Sequence, residues 1–226
     1  MLPLNDTEHN RYSGLPIMTI LLISINTILL FAKPFLGERL HLYMSFGSVP
    51  LQVFNQIGGG ALSSLTSTFL HAGLLHLLGN MVFLWVFGRR VEDACGPWRF
   101  LAFYLTCGLC SDLLSTVFRF GDNIPGIGAS GAIFGVEGAY LLLYPGGRIR
   151  AFVPLWFVPL FPKIPAIWIV LYDVVIQVLP AIESLRHTNE GGINYWAHLG
   201  GFLGCILVIF FLRPEAFARY ISNEPV

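Results

Sequence analysis

Apolar residues run along this chain in stretches too long for a strand and too uniformly oily for a surface helix, broken by short clusters of glycine, proline and charge. Stretches suited to crossing a membrane cover 15–31, 65–88, 98–118, 130–144, 165–180 and 195–212, against the roughly 20 residues a bilayer core requires. The second is most apolar over 74–87 and reaches full length only by extending upstream through His71, Ser67 and Thr66. A shorter apolar run at 152–161 holds Pro154 and Pro159 and is followed by Pro162, so it reads as an interfacial loop and not as a seventh span. The pattern predicts an all-α membrane protein, one domain over 1–226 with six transmembrane helices. The connection at 33–65 is long and contains Gly58-Gly59-Gly60, which places it partly in the membrane interface.

Composition strengthens this picture. Of 226 residues, 55% are hydrophobic and 12% charged, with a mean hydropathy of +0.69, whereas a soluble domain carries about a quarter charged residues. The net charge is zero and the basic residues are scattered, which excludes a nucleic-acid partner. With the N-terminus inside, the inner segments hold Arg11, Arg89, Arg90, Arg99, Arg148, Arg150, Lys163, Arg213 and Arg219. The outer ones hold only Lys33, Arg39, Arg119 and Arg186. This asymmetry predicts that both termini are cytoplasmic. The first span has no small-residue cleavage pattern and only Arg11 ahead of it, so an uncleaved helix is expected. Cys95, Cys107, Cys110 and Cys205 lie in apolar surroundings, and the Cys107-x-x-Cys110 pair reads as buried small residues, not as redox or metal chemistry.

Polar residues inside the oily stretches need an explanation, because ionisable groups are costly there. Ser130 lies in Gly128-Ala129-Ser130-Gly131 and His198 in Ala197-His198-Leu199-Gly200-Gly201, and a serine with a histidine is the minimal pair for acyl transfer. Spans two, four and six descend from the outer to the inner face. Counted from their inner ends, Ser130 and His198 each lie 14 positions up and His76 lies 13, close to ~20 Å in every case. That level is about 10 Å below the outer surface of a ~30 Å core, so water must reach it through a cavity. Pro125, Gly126 and Gly128 stop any helix from starting before Ser130, which puts the serine at a helix N-terminus suited to an oxyanion. Gly131 with Gly135, and Gly200 with Gly204, are small-residue patterns that would let the fourth and sixth helices approach.

On the second span, His76 and Asn80 are four apart on one face and are positioned to donate to an oxyanion. His71 is off that face and no carboxylate is in register, so no metal site is expected. Glu137, seven residues below Ser130, reads as a buried hydrogen-bonding carboxyl, and Asp112 and Asp173 as partners in interhelical pairing.

In order along the chain, His71-x4-His76-x3-Asn80-Met81, Gly88-x3-Glu92, Gly128-Ala129-Ser130-Gly131-Ala132 and Ala197-His198-x-Gly200-Gly201 resemble the rhomboid family of intramembrane serine proteases. The resemblance implies a six-helix bundle and a Ser-His pair without an acidic third member, unlike the Ser-His-Asp arrangement. It makes Ser130 the nucleophile and His198 the general base and acid, with His76, Asn80 and the Ser130 amide as the oxyanion hole. Phe134 would pack against the imidazole, His71 would stand near a water-filled cavity in a supporting role, and Glu92 would be structural. The long outer loop lacks the Trp-Arg pair that many family members carry there.

The function so implied is cleavage of transmembrane protein substrates within the lipid bilayer, with a site opening to the outer face and no cofactor or metal. The alternatives are a catalytically silent client-binding relative and a small transporter using Asp112, Glu137 and Asp173. Short termini point to a minimal, prokaryotic version in a plasma or inner membrane.

Overall fold

The computed structural model describes residues 1–7, 14–55, 60–155, 158–185 and 192–212. Arg11, Gly58, Gly59, Arg186, Arg213 and Arg219, which entered the charge and loop readings, lie outside them.

A helix stands at each of the six oily stretches. These are α1 (Ile17–Leu36), α5 (Leu74–Phe83) continued by a π-helical turn at Leu84–Gly88 into α6 (Arg89–Cys95), α7 (Pro97–Phe118), α8 (Ser130–Leu143), α9 (Ala166–Ser184) and α10 (Tyr195–Leu212). Short helices α2 (Arg39–Phe46), α3 (Pro50–Asn55) and α4 (Ser63–Thr66) fill the long connection. Among the described residues four helices have the length and hydropathy of a membrane crossing: Ile17–Leu36, Leu74–Cys95, Pro97–Phe118 and Ala166–Ser184. The chain is therefore a multi-pass membrane protein.

Helix α8 is shorter, at 14 residues. Every residue from Gly131 to Tyr140 is buried, so α8 faces protein on all sides and its length need not match the bilayer. The second span begins at Leu74, not at 65, because Ser67–Phe69 form a separate 3-10 turn and Leu70 is extended. At its other end it runs to Cys95.

The all-α expectation is corrected by a small antiparallel sheet of four strands. In it β2 (Arg148–Leu155) pairs with β1 (Leu2–Asp6), β3 (Val158–Leu160) and β4 (Lys163–Pro165). The run read as an interfacial loop is thus largely strand. Its prolines are accommodated because Pro154 and Pro159 face each other across the β2–β3 pair, at the end of the sheet where missing amide donors are tolerated. Ile149 and Ala151 point inward while Arg148 and Arg150 point out, the alternation of a half-buried strand.

Asp6 on β1 binds Arg90 Nε at 2.5 Å and Arg89 at 3.3 Å. The sheet, the α6–α7 turn and their basic residues therefore gather at one end of the bundle. The other end carries α2 to α4 and the α7–α8 connection, joined by the reciprocal backbone bridge between Ser48 and Gly126. Glu92 takes its place through α1: its carboxylate accepts the Met18 and Thr19 amides, each at 2.8 Å, and the Thr19 hydroxyl at 2.7 Å. It caps the positive end of that helix. The core runs through Leu77, Leu84, Phe87, Phe100, Tyr104, Val136 and Tyr140.

Candidate active site

Helix α8 starts at Ser130, where the breakers in the sequence put it. The residue two positions earlier, Gly128, has φ +125°, a conformation that strains any residue with a side chain. A Cβ there would also stand 2.9 Å from His76 Nε2. The Gly128 amide donates to the Ser67 carbonyl at 2.9 Å, which fixes the loop just before the serine.

Ser130 Oγ lies 2.8 Å from His198 Nε2. The imidazole is stacked on Phe134, one turn further along α8, with ring centroids 4.6 Å apart and planes 7° from parallel. His198 sits in the first turn of α10, which Asn194 caps by accepting the Ala197 amide at 3.2 Å. Asn194 also donates to Ser115 Oγ on α7 at 2.7 Å, so the cap ties α10 to its neighbour.

The glycines work differently from the sequence expectation. Gly131 meets Ser111 of α7 and the Ala197 carbonyl of α10, and Gly135 meets Cys107 and the Gly201 carbonyl. The α10 glycine that touches α8 is Gly201, against Gly131; Gly200 and Gly204 face Leu114 and Cys110 of α7. Gly201 and the Gly200–Gly204 pattern lie on adjacent faces of one helix wedged between two others, so the spacing alone did not say which helix each would meet. Cys107 and Cys110 serve as small packing residues in these contacts, and all four cysteines are free.

His76 and Asn80 lie beside Gly128, with Asn80 Nδ2 3.7 Å from the position of a Cβ there. His76 Nδ1 is 3.4 Å from the Ala72 amide. Accepting from that amide leaves the ring proton on Nε2, the nitrogen nearest Gly128. Asn80 Nδ2 donates to His71 Nε2 at 2.8 Å, a bond that fixes the orientation of the Asn80 amide. The His71 backbone is held in turn: Lys33 Nζ and Tyr43 Oη donate to its carbonyl at 2.5 Å and 3.2 Å. Without the Trp-Arg pair, the long connection is anchored by these contacts and by Thr66 Oγ1 donating to the Phe46 carbonyl at 2.6 Å.

Ser130, His198, His76, Asn80 and Gly128 line one cavity of about 830 Å³. Residues from the 118–128 connection and from 192–196 also line it, at the end of the bundle away from the sheet. Glu137 and Asp173 line it as well. The hydrogen-bonding role expected for Glu137 is not met at Oε2, nor the pairing of Asp173 at Oδ2; both atoms are buried without a partner among the described residues. Asp112 does pair across elements, accepting from Ser64 Oγ at 2.5 Å. Among the described residues no group of His, Cys, Asp and Glu is arranged to hold a metal ion.

One site residue had no place in the sequence expectations. Gln177 of α9 is buried, and its Oε1 lies 3.0 Å from His198 Nδ1. Its signal was available, since a lone amide in a membrane helix needs a polar partner.

A family model described as the Rhomboid domain matches residues 59–215. This chain belongs to the rhomboid family. It is 33% identical over 156 residues to RHOMBOID-like protein 1 of Arabidopsis thaliana, covering 66% of this chain and 34% of that protein. Rhomboid protease GluP of Bacillus subtilis is 35% identical over 138 residues, covering 60% of this chain and 26% of GluP. Rhomboid protein 1, mitochondrial, of Saccharomyces cerevisiae is 26% identical over 230 residues, covering 86% and 63%. The chain thus spans less than two thirds of the length of these curated relatives. These relatives include both a mitochondrial rhomboid of yeast and a bacterial one.

Proposed function

We propose that this rhomboid is an intramembrane serine endopeptidase that cleaves transmembrane segments of other proteins through an acyl-enzyme. The observation that carries this reading is the 2.8 Å contact between Ser130 Oγ and His198 Nε2 at the first residue of α8. His198 Nε2 takes the Ser130 proton as Oγ attacks the scissile carbonyl carbon, and the carbonyl oxygen becomes an oxyanion. The first amides of α8 have no intrahelical acceptor, so the Ser130 N–H is free to donate to it, together with Asn80 Nδ2 and the His76 ring. His198 then returns the proton to the leaving amine. In the second half, water gives a proton to His198 and attacks the ester, releasing the new carboxyl end and restoring Ser130. No metal or organic cofactor enters.

The rest of the reading is a single domain of six spans with both termini on the cytoplasmic side, the basic sheet end inside and the cavity open to the outer face. The gathering of Arg89, Arg90, Arg148, Arg150 and Lys163 at one end supports that orientation. The substrate helix enters from the lipid bilayer and unwinds locally to expose a carbonyl.

The test is cleavage of a membrane-tethered reporter by the full chain in liposomes, with Ser130→Ala alongside, and labelling of Ser130 by a fluorophosphonate. Loss of both signals in the variant is expected. A wild-type chain that neither cleaves nor labels would make it a silent client-binding protein, and ion flux that survives Ser130→Ala would make it a transporter.

A further inference from the structure

Both nitrogens of the His198 ring are engaged: Nε2 with Ser130 Oγ at 2.8 Å and Nδ1 with Gln177 Oε1 at 3.0 Å. A neutral imidazole carries one proton, and only the form with that proton on Nδ1 leaves Nε2 able to receive another from serine. In water the two tautomers interchange freely, so a ring held only by its neighbour's hydroxyl would spend part of its time in the useless form. An amide oxygen accepts and cannot donate. Gln177 Oε1 therefore selects the Nδ1–H tautomer.

We propose that Gln177 is the positioning residue of the catalytic pair, its side-chain oxygen fixing the tautomer and in-plane orientation of His198. This rests on the hydrolase reading above. Two independent contacts then define the ring: Phe134 on α8 lies against its face and stops it tilting, and Gln177 on α9 stops it rotating within its plane. A third member supplied in this way takes the position that a carboxylate occupies in the Ser-His-Asp arrangement.

A neutral amide suits the surroundings better than a carboxylate would. Gln177 is only 8% exposed, and an ionised partner there would need its own desolvation. Two carboxyl groups, Glu137 of α8 and Asp173 one turn before Gln177 on α9, already line the same cavity, as does His76 of α5. A third carboxylate would add like-charge repulsion. When His198 takes the serine proton and becomes charged, the Nδ1–H to Gln177 Oε1 bond becomes charge-assisted and strengthens. The contact thus favours the transition state more than the resting enzyme.

The experiment uses the full chain in lipid nanodiscs with ¹⁵N-labelled histidine, the His198 signals being identified by their loss in His198→Asn. Wild type should show the Nδ1–H tautomer. Gln177→Leu, which keeps the bulk and removes the acceptor, should move the population toward Nε2–H. It should also lower kcat roughly tenfold to a hundredfold with KM unchanged, the range for losing one hydrogen bond to a group that becomes charged. Gln177→Glu keeps an acceptor oxygen in either protonation state and should recover the tautomer and most of the turnover. An unchanged tautomer in Gln177→Leu overturns the proposal, as does an equal loss of turnover and thermal stability in the Leu and Glu variants, which would mark a packing role. A tautomer shift in a chain whose wild type cleaves nothing supports the Gln177 contact and overturns the hydrolase reading alone.

Discussion

Gly201 of α10 lies directly on the backbone carbonyl of Gly131 in α8, and a Cβ at position 201 would overlap that carbonyl group. Since Ser130 precedes Gly131 and His198 is one turn before Gly201, this backbone contact sets the separation of Ser130 and His198. Gly201→Ala must push the helices apart or distort them, at a cost of about 1–3 kcal/mol. A lower Tm in detergent together with reduced fluorophosphonate labelling is the expected result. An unchanged Tm with full labelling would mean the two backbones are not in contact.

Asn80 and His71 act as one unit, because His71 Nε2 accepts from the Asn80 amide. Asn80→Ala should lower kcat by about 10²–10³, the effect of removing one oxyanion donor. His71→Ala should lower it less, since the amide remains but is free to rotate. In the double variant the loss should match that of Asn80→Ala alone, and strictly additive losses would separate the two roles.

Phe134 holds the face of the imidazole. Phe134→Tyr keeps the ring and should retain most activity, whereas Phe134→Ala should lower kcat about tenfold through loss of the aromatic contact. Steady-state turnover of the membrane-tethered reporter reads this difference, and equal activity in both variants would remove Phe134 from any orienting role.

Glu92 caps α1 far from the cavity. Glu92→Ala leaves the Met18 and Thr19 amides and the Thr19 hydroxyl without their acceptor, which should destabilise the fold by about 2–3 kcal/mol. Turnover per labelled active site should not change. A fall in turnover at constant Tm would point instead to a role in the chemistry.

How much could be read beforehand differs from element to element. The start of α8 was legible because Gly128 and the nearby proline forbid a helix there, which is a local steric matter. The extent of α10 was legible because no proline and no Asp, Glu, Lys or Arg interrupts it. The β2–β3 hairpin was not, since its prolines argue for a loop until the residue opposite is known. The late start of the second span was hidden in the same way: Ser67–Phe69 could join a helix by composition, but the chain turns there because the Ser67 carbonyl is committed to the Gly128 amide.

Hydropathy and residue type by themselves determined that this chain lives in a membrane, that Ser130 and His198 lie at one depth, and that His76 and Asn80 stand one turn apart on a single helix. These are properties of one helix at a time, where the axial rise per residue is constant and counting suffices. Only the tertiary structure decided which face met which: Gly201 and not Gly200 against Gly131, His71 behind Asn80, and Gln177 behind His198. Such contacts depend on how helices rotate about their own axes and pack against several neighbours at once, and no spacing along a single helix carries that information.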